Sequence, residues 1–350
     1  MFLNSISNKA CEKLNFCRKK KAEKEFEDLT KISIQEFISM LDVDMLEATK
    51  KLFQTDIKFY KGVNNLFFLN HRYEGKIKFV TKLESCHLAE RELAFLEWQK
   101  SSLNRFEFIA PELVCCKRVG DSDICALSME CLIEPTSYSP AAIVELYHRI
   151  GGLTSELSSF TKAENKDGMF LFDMLANTKI TRTIKYIVTK MHLPEAYAQA
   201  LEFMDKRQAV FLSRLGDFQR VKQFISDSAC LTNEFDVEQH YGLLHGDFKK
   251  ANILSDESGK LKVIDLQYYN YGARLWDMAF LCSKEKEKYE ETFTKFIEPL
   301  NLDDVELKIF VFLYVLASLL HVKKSNLSKL LFMKVFPAIS SVDTQHTVRE

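Results

Sequence analysis

The feature that most constrains this chain is a polar loop inside an apolar segment, Leu243-Leu-His-Gly-Asp-Phe-Lys-Lys-Ala-Asn-Ile-Leu254, followed by a second apolar run, Val263-Ile-Asp-Leu-Gln267. Asp247 and Asn252 are five residues apart, and Asp265 lies eighteen residues beyond Asp247. Phosphoryl transfer uses this set of side chains. One carboxylate orients the attacking hydroxyl and accepts its proton, while an amide oxygen and a second carboxylate hold Mg²⁺ against the nucleotide phosphates.

The residues around this loop predict a pair of short strands. Apolar residues centred on Ile253 and Ile264 flank a turn from Ser255 to Gly259, which is a pattern typical of a β-hairpin. Pairing of the two strands would bring Asn252 and Asp265 side by side. We therefore expect a magnesium site at the end of this hairpin.

The composition excludes several classes of protein. The 350 residues are 47% hydrophobic and 28% charged with a net charge of -1, so the basic excess of a nucleic-acid binder is missing. Nine scattered cysteines show no zinc spacing and indicate reduced thiols in a cytoplasmic protein. We expect no signal peptide, because no apolar h-region follows the first basic residues. We also expect no membrane span, because the most apolar stretch, Ile309 to Leu320, is too short to cross a bilayer.

The hydrophobic period changes along the chain. Apolar residues at helical spacing follow a basic run within residues 1–50, whereas residues 51–134 read mainly as short strands with one helix. Helical patterns dominate residues 135–350. We predict an α+β protein with an N-terminal helical extension over 1–50, a small β-rich lobe over 51–134 and a large helical lobe over 135–350.

The loop motif H-G-D-x-x-x-x-N, followed by I-D, resembles that of the aminoglycoside phosphotransferase and choline kinase superfamily, relatives of the protein kinases. The resemblance implies a bilobal protein kinase-like fold and an ATP- and Mg²⁺-dependent enzyme that phosphorylates a hydroxyl of a small molecule. By the same resemblance, Asp247 matches the catalytic base, and Asn252 and Asp265 match the metal ligands. His245 matches the histidine that supports the catalytic loop.

Upstream residues match the family's nucleotide-binding elements in order. Lys82 resembles the strand lysine that contacts the α- and β-phosphates, and Glu92 resembles its helical ion-pair partner. Lys78 and Glu90 compete for the same roles.

A possible phosphate-covering loop precedes these residues. The segment Gly62-Val-Asn-Asn-Leu-Phe-Phe68 is similar to the G-x-[ST]-N-x-x-[YF] loop of choline kinase-like enzymes, which implies nucleotide contacts from Gly62 and Asn65. A plain hairpin turn is the alternative, since one glycine gives a phosphate loop little backbone freedom. The segment Ser128-Met-Glu-Cys-Leu132 resembles the hinge between the lobes, whose backbone would receive adenine, and this implies nucleotide contacts at Glu130 and Leu132.

Two departures from the family pattern concern the acceptor. Lys249 follows Asp247 by two residues, as in protein kinases, and could neutralise the transferring phosphoryl group. Gln267 stands where choline kinases usually carry Glu, and the resulting I-D-x-Q pattern is more like that of the ecdysteroid kinase-like branch.

Aromatic residues just after the second predicted metal ligand suggest one class of acceptor. Cation–π contacts from Tyr268, Tyr269, Tyr271 and Trp276 would suit choline or ethanolamine, although the same rings could simply pack the wall of the cleft. Two other functions stay open: a protein kinase, because of Lys249, and a pseudokinase that binds nucleotide without turnover. The oligomeric state is not indicated.

Overall fold

The computed structural model of the protein describes residues 24–49, 58–61, 67–73, 76–104, 107–153, 179–211, 215–266, 269–285 and 289–321. The chain divides into two compact units. The first unit comprises Met1–Glu134 with Ser255–Gln267, and the second comprises Pro135–Leu254 with Tyr268–Glu350.

The first unit is built on a five-stranded antiparallel sheet with the order β1-β2-β3-β5-β4. The register sets Phe68 of β2 and Leu127 of β5 opposite Lys82 of β3. The next residue on the same face of β3, Glu84, lies opposite Cys125. The strands are β1 (Lys58–Lys61), β2 (Phe67–Tyr73), β3 (Lys76–Ser85), β4 (Leu113–Arg118) and β5 (Ile124–Glu130).

Helices of the N-terminal segment cover one face of this sheet. They are α1 (residues 24–30) and α2 (Ile34–Thr49). Side chains alternate between the faces of a strand, so Leu83 points to the face opposite that of Lys82 and Glu84. The hydrophobic cluster under these helices consists of Phe26, Ile34, Phe37, Leu41, Leu69, Leu83, Val119 and Ala126.

The helix α3 (Cys86–Ser102) starts directly after β3. Its buried positions include Leu88, Phe95 and Leu96, with Glu92 among them. The Gln99 side chain caps the loop before β4, because its Oε1 accepts from the backbone N–H groups of Ile109 at 2.9 Å and Ala110 at 3.0 Å. These contacts fix the helix that carries Glu92.

The predicted hairpin after the polar loop is present. The strands β7 (Ile253–Ser255) and β8 (Leu261–Val263) form a two-stranded sheet. Asp256 closes the turn by accepting from the N–H groups of Ser258 at 2.9 Å and Lys260 at 3.1 Å. Gly259 completes it with a φ of 87°, a conformation that favours glycine.

The described part of the second unit is mainly helical and contains a two-stranded sheet. That sheet pairs β6 (Tyr241–Leu244) with β9 (Asn270–Ala273) in antiparallel register. No helix among the described residues is both long and apolar enough to span a bilayer. The helices are α4 (Pro140–Gly152), α5 (Lys179–Thr189), α6 (Pro194–Phe211), α7 (Leu215–Asp227), α8 (Leu231–Glu234), α9 (Val237–His240), α10 (Trp276–Lys284), α11 (Tyr289–Phe296) and α12 (Asp304–His321).

Candidate active site

The polar loop follows directly on β6, whose four residues are all buried. Antiparallel pairing sets Leu244, the last residue of β6, opposite Asn270. The chain then turns at Gly246, whose φ of 83° lies in the left-handed region that favours glycine. This turn follows the buried His245 and leads into Asp247.

A buried carboxylate holds the turn in place. Asp277, in the first turn of α10, accepts the backbone N–H of His245 at 2.6 Å through Oδ2 and that of Gly246 at 3.0 Å through Oδ1. Burial raises the pKa of Asp277 to about 6, although these contacts act in the opposite direction. These two hydrogen bonds give Asp277 a structural role at the start of the polar loop.

The two oxygens of Asp247 have different surroundings. Oδ2 accepts from Asn252 Nδ2 at 2.9 Å and from Lys249 Nζ at 2.5 Å. Oδ1 is buried and has no hydrogen-bond partner within the part of the chain that the structure describes. A buried carboxylate oxygen without a hydrogen-bond partner is uncommon in folded proteins and calls for an explanation.

Further contacts within the second unit fix this loop. Asn252 Nδ2 also donates to the Asp247 carbonyl at 3.0 Å, and the Asp247 N–H donates to His245 Nδ1 at 3.2 Å. The hydroxyl of Tyr138 donates to the carbonyls of Lys250 at 3.1 Å and Ile253 at 3.3 Å. Tyr138 was not singled out from the sequence, because nothing local links it to a loop more than a hundred residues away.

Lysines surround Asp247 in the second unit. The pKa of Lys284 is lowered, mainly because the side chain is partly buried. The Asp247 carboxylate raises this pKa, whereas the Lys249 ammonium lowers it further. Lys250 forms an ion pair with Glu285 at 2.6 Å.

Three predicted residues meet in the first unit. Lys82 is 3% exposed, and its Nζ donates to Glu92 Oε2 at 2.8 Å and to Asp265 Oδ1 at 3.0 Å. Burial alone would lower the pKa of Lys82, but Glu92, Asp265 and Glu84 together raise it well above its ordinary value. Of the competing pair, Glu90 is exposed, while the side chain of Lys78 lies outside the described set.

A third carboxylate, which sequence reasoning missed, lies at the same ammonium. Glu84 Oε2 is 3.1 Å from Lys82 Nζ, and the Glu84 side chain is fully buried. The available signal was its position two residues after Lys82 on one strand, which places both side chains on the same face. Burial raises the pKa of Glu84 to about 8.

Asp265 follows β8 with a φ of 61°, an uncommon conformation for a residue other than glycine but one that Asp and Asn tolerate. Its side chain is 33% exposed, in contrast to the buried Lys82 and Glu92. Asn252 belongs to the second unit and Asp265 to the first, so their predicted juxtaposition stays a prediction.

The other predicted nucleotide contacts are only partly described. Glu130 ends β5, and its carboxylate pairs with Lys262 Nζ at 2.8 Å and accepts the Glu112 N–H at 3.1 Å. Leu132 is half-buried. Gly62 and Asn65 lie outside the described residues.

The aromatic residues after Asp265 divide into two groups. Tyr269 and Trp276 are buried, at 3% and 0% exposure, and Trp276 packs against Phe280. Tyr271 is half-buried and meets Tyr241 edge-on, with ring centroids 5.9 Å apart. Tyr268, like Gln267, lies outside the described residues.

The chemistry of the predicted metal ligands suits Mg²⁺. Asn252 and Asp265 offer an amide and a carboxylate oxygen, the hard donors that Mg²⁺ prefers, and the described residues include no group of three or more His, Cys, Asp or Glu that could hold a metal ion. A small number of protein ligands is typical where nucleotide phosphates and water complete the coordination of Mg²⁺.

A buried strand lysine paired with a helix glutamate, together with an Asp-x-x-x-x-Asn loop after a buried strand, is typical of a kinase-like phosphotransferase. Residues 61–298 match the phosphotransferase enzyme family, and the chain belongs to that family. It is an enzyme that phosphorylates a hydroxyl group of a small molecule, and its β-rich first unit and helical second unit are the α+β, kinase-like organisation predicted from the sequence.

Several solved structures are similar to this chain. A spectinomycin phosphotransferase in complex with ADP and spectinomycin is 14% identical with a TM-score of 0.47, covering 89% of this chain and 94% of that one. An aminoglycoside-3'-phosphotransferase of type VIII is 15% identical with a TM-score of 0.42, covering 79% of this chain and 99% of that one. No curated protein matched the sequence.

The predicted ligand role of Asp265 is testable by a substitution that suits its backbone. We expect Asp265→Asn, which tolerates a positive φ, to weaken binding of Mg²⁺ with a non-hydrolysable ATP analogue at least about tenfold, since a carboxylate ligand is lost. Calorimetric titration would measure this. The difference in affinity between the variant and wild type should vanish when the same titration is run in EDTA. An equal difference with and without Mg²⁺ would contradict the role of Asp265 as a metal ligand.

Proposed function

We propose that the protein transfers the γ-phosphoryl group of ATP, with Mg²⁺, to a hydroxyl of a small molecule, with Asp247 as the catalytic base. The observation that carries the proposal is the unequal environment of its carboxylate. Oδ2 is held by Asn252 and Lys249, whereas Oδ1 is buried without a partner among the described residues. An acceptor hydroxyl that donates to Oδ1 would be oriented for attack, and Oδ1 would accept its proton.

The residues of the first unit would bind the nucleotide. The buried Lys82, held by Glu92, would donate to phosphate oxygens, and the more exposed Asp265 would be a ligand of the metal. When bound, Mg²⁺ would neutralise negative charge on the phosphates. The backbone from Glu130 to Leu132 is proposed to receive the adenine, because the Glu130 carboxylate is already paired with Lys262.

In the second unit, Asn252 would supply an amide oxygen to the metal, since its Nδ2 is occupied by Asp247. His245 would support the loop through the hydrogen bond that its Nδ1 accepts. Lys249, which is 34% exposed, would stabilise negative charge on the transferring phosphoryl group.

Choline or a related amino alcohol is our proposed acceptor class, on the strength of the aromatic residues after Asp265. Because Tyr269 and Trp276 are buried, the half-buried Tyr271 is the described member of that group that would contact a quaternary ammonium. A protein acceptor is the second candidate, and the Lys249–Asp247 contact favours it, because the same pair of residue types occurs in protein kinases.

The test is transfer of labelled phosphate from ATP with Mg²⁺ to choline, ethanolamine, sugars, aminoglycosides and a generic protein. Asp247→Asn protein prepared in parallel serves as the blank. We expect a labelled small molecule that is absent with the variant. Label on protein alone would favour the second candidate, and a labelled product of equal yield from the variant would contradict the assignment of the base.

A further inference from the structure

Three carboxylates share one ammonium in the first unit. Lys82 Nζ lies 2.8 Å from Glu92 Oε2, 3.0 Å from Asp265 Oδ1 and 3.1 Å from Glu84 Oε2. Lys82 donates hydrogen bonds to Glu92 and Asp265, and Glu84 is a third anionic neighbour in ion-pair contact. A phosphate oxygen would have to compete with these carboxylates for the N–H groups of the ammonium.

Burial decides which carboxylate can withdraw. The side chains of Glu84 and Glu92 are 0% and 1% exposed, whereas that of Asp265 is 33% exposed. Asp265 is also the residue proposed above to bind the nucleotide's metal, and the inference rests on that proposed function. When Asp265 turns to the metal, Glu84 and Glu92 remain as neighbours of Lys82, one from β3 and one from α3.

Glu84 is unusual in its own right. Both of its carboxyl oxygens are buried without a hydrogen-bond partner among the described residues, and its contact with Lys82 is the ion pair at 3.1 Å. Buried polar atoms without partners are rare and often mark a site that is completed by a ligand or by a change of state. Here a small rotation of the Lys82 ammonium away from Asp265 would bring an N–H onto Glu84.

We propose that Glu84 is a positioning residue, which together with Glu92 holds the Lys82 ammonium when Asp265 leaves it, so that the third N–H is presented to a nucleotide phosphate. Glu84 touches Lys82 and neither the nucleotide nor the metal.

The charge state of Glu84 supports this role. Burial raises its pKa to about 8, against the lowering effect of the Lys82 ammonium, so Glu84 keeps its proton to a higher pH than an ordinary glutamate does and adds less negative charge beside the phosphates. The groups that face it are Lys82 on β3, Glu92 on α3, Asp265 after β8 and Cys116 on β4. Above pH 8 the ionised carboxylate would repel the phosphates.

The experiment is calorimetric titration of the full-length protein with AMP-PNP and Mg²⁺, accompanied by thermal unfolding of each variant. Glu84→Gln keeps an acceptor oxygen, and we expect its dissociation constant at pH 7 to stay within about threefold of wild type. Glu84→Leu removes the acceptor, and we expect binding at least about tenfold weaker. Its melting temperature should stay equal or rise, because Glu92 and Asp265 still neutralise Lys82 when the buried acid is replaced by an apolar side chain.

Glu90→Gln, at an exposed position of the neighbouring helix α3, is the matched control and should bind as wild type does. Between pH 7 and 9 the affinity of wild type should fall more steeply than that of Glu84→Gln. Unchanged binding by Glu84→Leu would overturn this proposal alone. Weaker binding by Glu84→Leu with a lower melting temperature would show a merely structural role and overturn it as well. Absence of nucleotide binding by wild type would overturn both this inference and the proposed function.

Discussion

Replacing Asp247 with asparagine should lower the rate of phosphoryl transfer by about 10²–10⁴-fold, the usual contribution of a general base. Asparagine has nearly the same shape, so it can keep the contact with Asn252 or Lys249, but it cannot accept a proton at the position of Oδ1. The buried, unpaired Oδ1 is the atom on which the prediction depends. The measurement is the single-turnover rate with labelled ATP and a saturating acceptor identified in the panel.

Binding of Mg²⁺ and AMP-PNP is the control for this prediction. Asp247 is in the second unit, whereas Lys82, Glu92 and Asp265 are in the first, so we expect the affinity of Asp247→Asn to stay close to that of wild type. A variant that bound nucleotide and retained full turnover would show that another group accepts the proton. Loss of turnover accompanied by loss of nucleotide binding would instead indicate damage to the fold.

Replacing Asp277 with alanine should lower the free energy of unfolding by about 2–5 kcal/mol. Asp277 is buried, and its two oxygens satisfy the N–H groups of His245 and Gly246. Alanine would leave both donors buried and unpaired, and each such donor costs about 1–3 kcal/mol. Urea unfolding followed by circular dichroism would measure the change. A loss below about 0.5 kcal/mol, typical of a surface substitution, would contradict this role.

The Asp277→Asn variant adds a pH dependence with a defined sign. The pKa of Asp277 is raised to about 6 in the folded protein from an unfolded value of 3.8, so the folded state keeps this proton to higher pH. The contribution of Asp277 to stability therefore falls as the pH rises from about 4 to about 6. The stability advantage of wild type over Asp277→Asn should be larger at pH 4 than at pH 7. An advantage that grew with pH would contradict the raised pKa.

The catalytic loop could be predicted from the sequence because its parts are close together in the chain. A buried strand, a left-handed glycine and a short 3₁₀ turn at Lys250–Asn252 set the relation between Asp247 and Asn252 within a few residues. The fold class could be predicted for the same reason, because the period of apolar residues is a local property of the sequence and changes between residues 51–134 and 135–350. Family spacing also selected Lys82 and Glu92, which the structure pairs.

Other features depend on tertiary burial, which local spacing does not show. Glu84 reads in the sequence as an ordinary strand glutamate, and only the packing of β3 against its neighbours removes it from water. Tyr269 and Trp276 illustrate the opposite case, since an aromatic cluster that looked suited to a ligand is largely used for packing. Tyr138 reaches the loop across more than a hundred residues, a relation that is absent from the local pattern.

The N-terminal helices set a practical boundary for the protein. The family match begins at residue 61, but Phe26, Phe37 and Leu41 form one hydrophobic cluster with Leu69 and Leu83 of the sheet. A shortened form cut at the start of the family match would expose the back of the strand whose front carries Lys82. Such a form would be expected to aggregate and to lose nucleotide binding together, although no residue near the phosphates had been removed. The region recognised by similarity is therefore smaller than the region that the chain needs in order to fold as one unit.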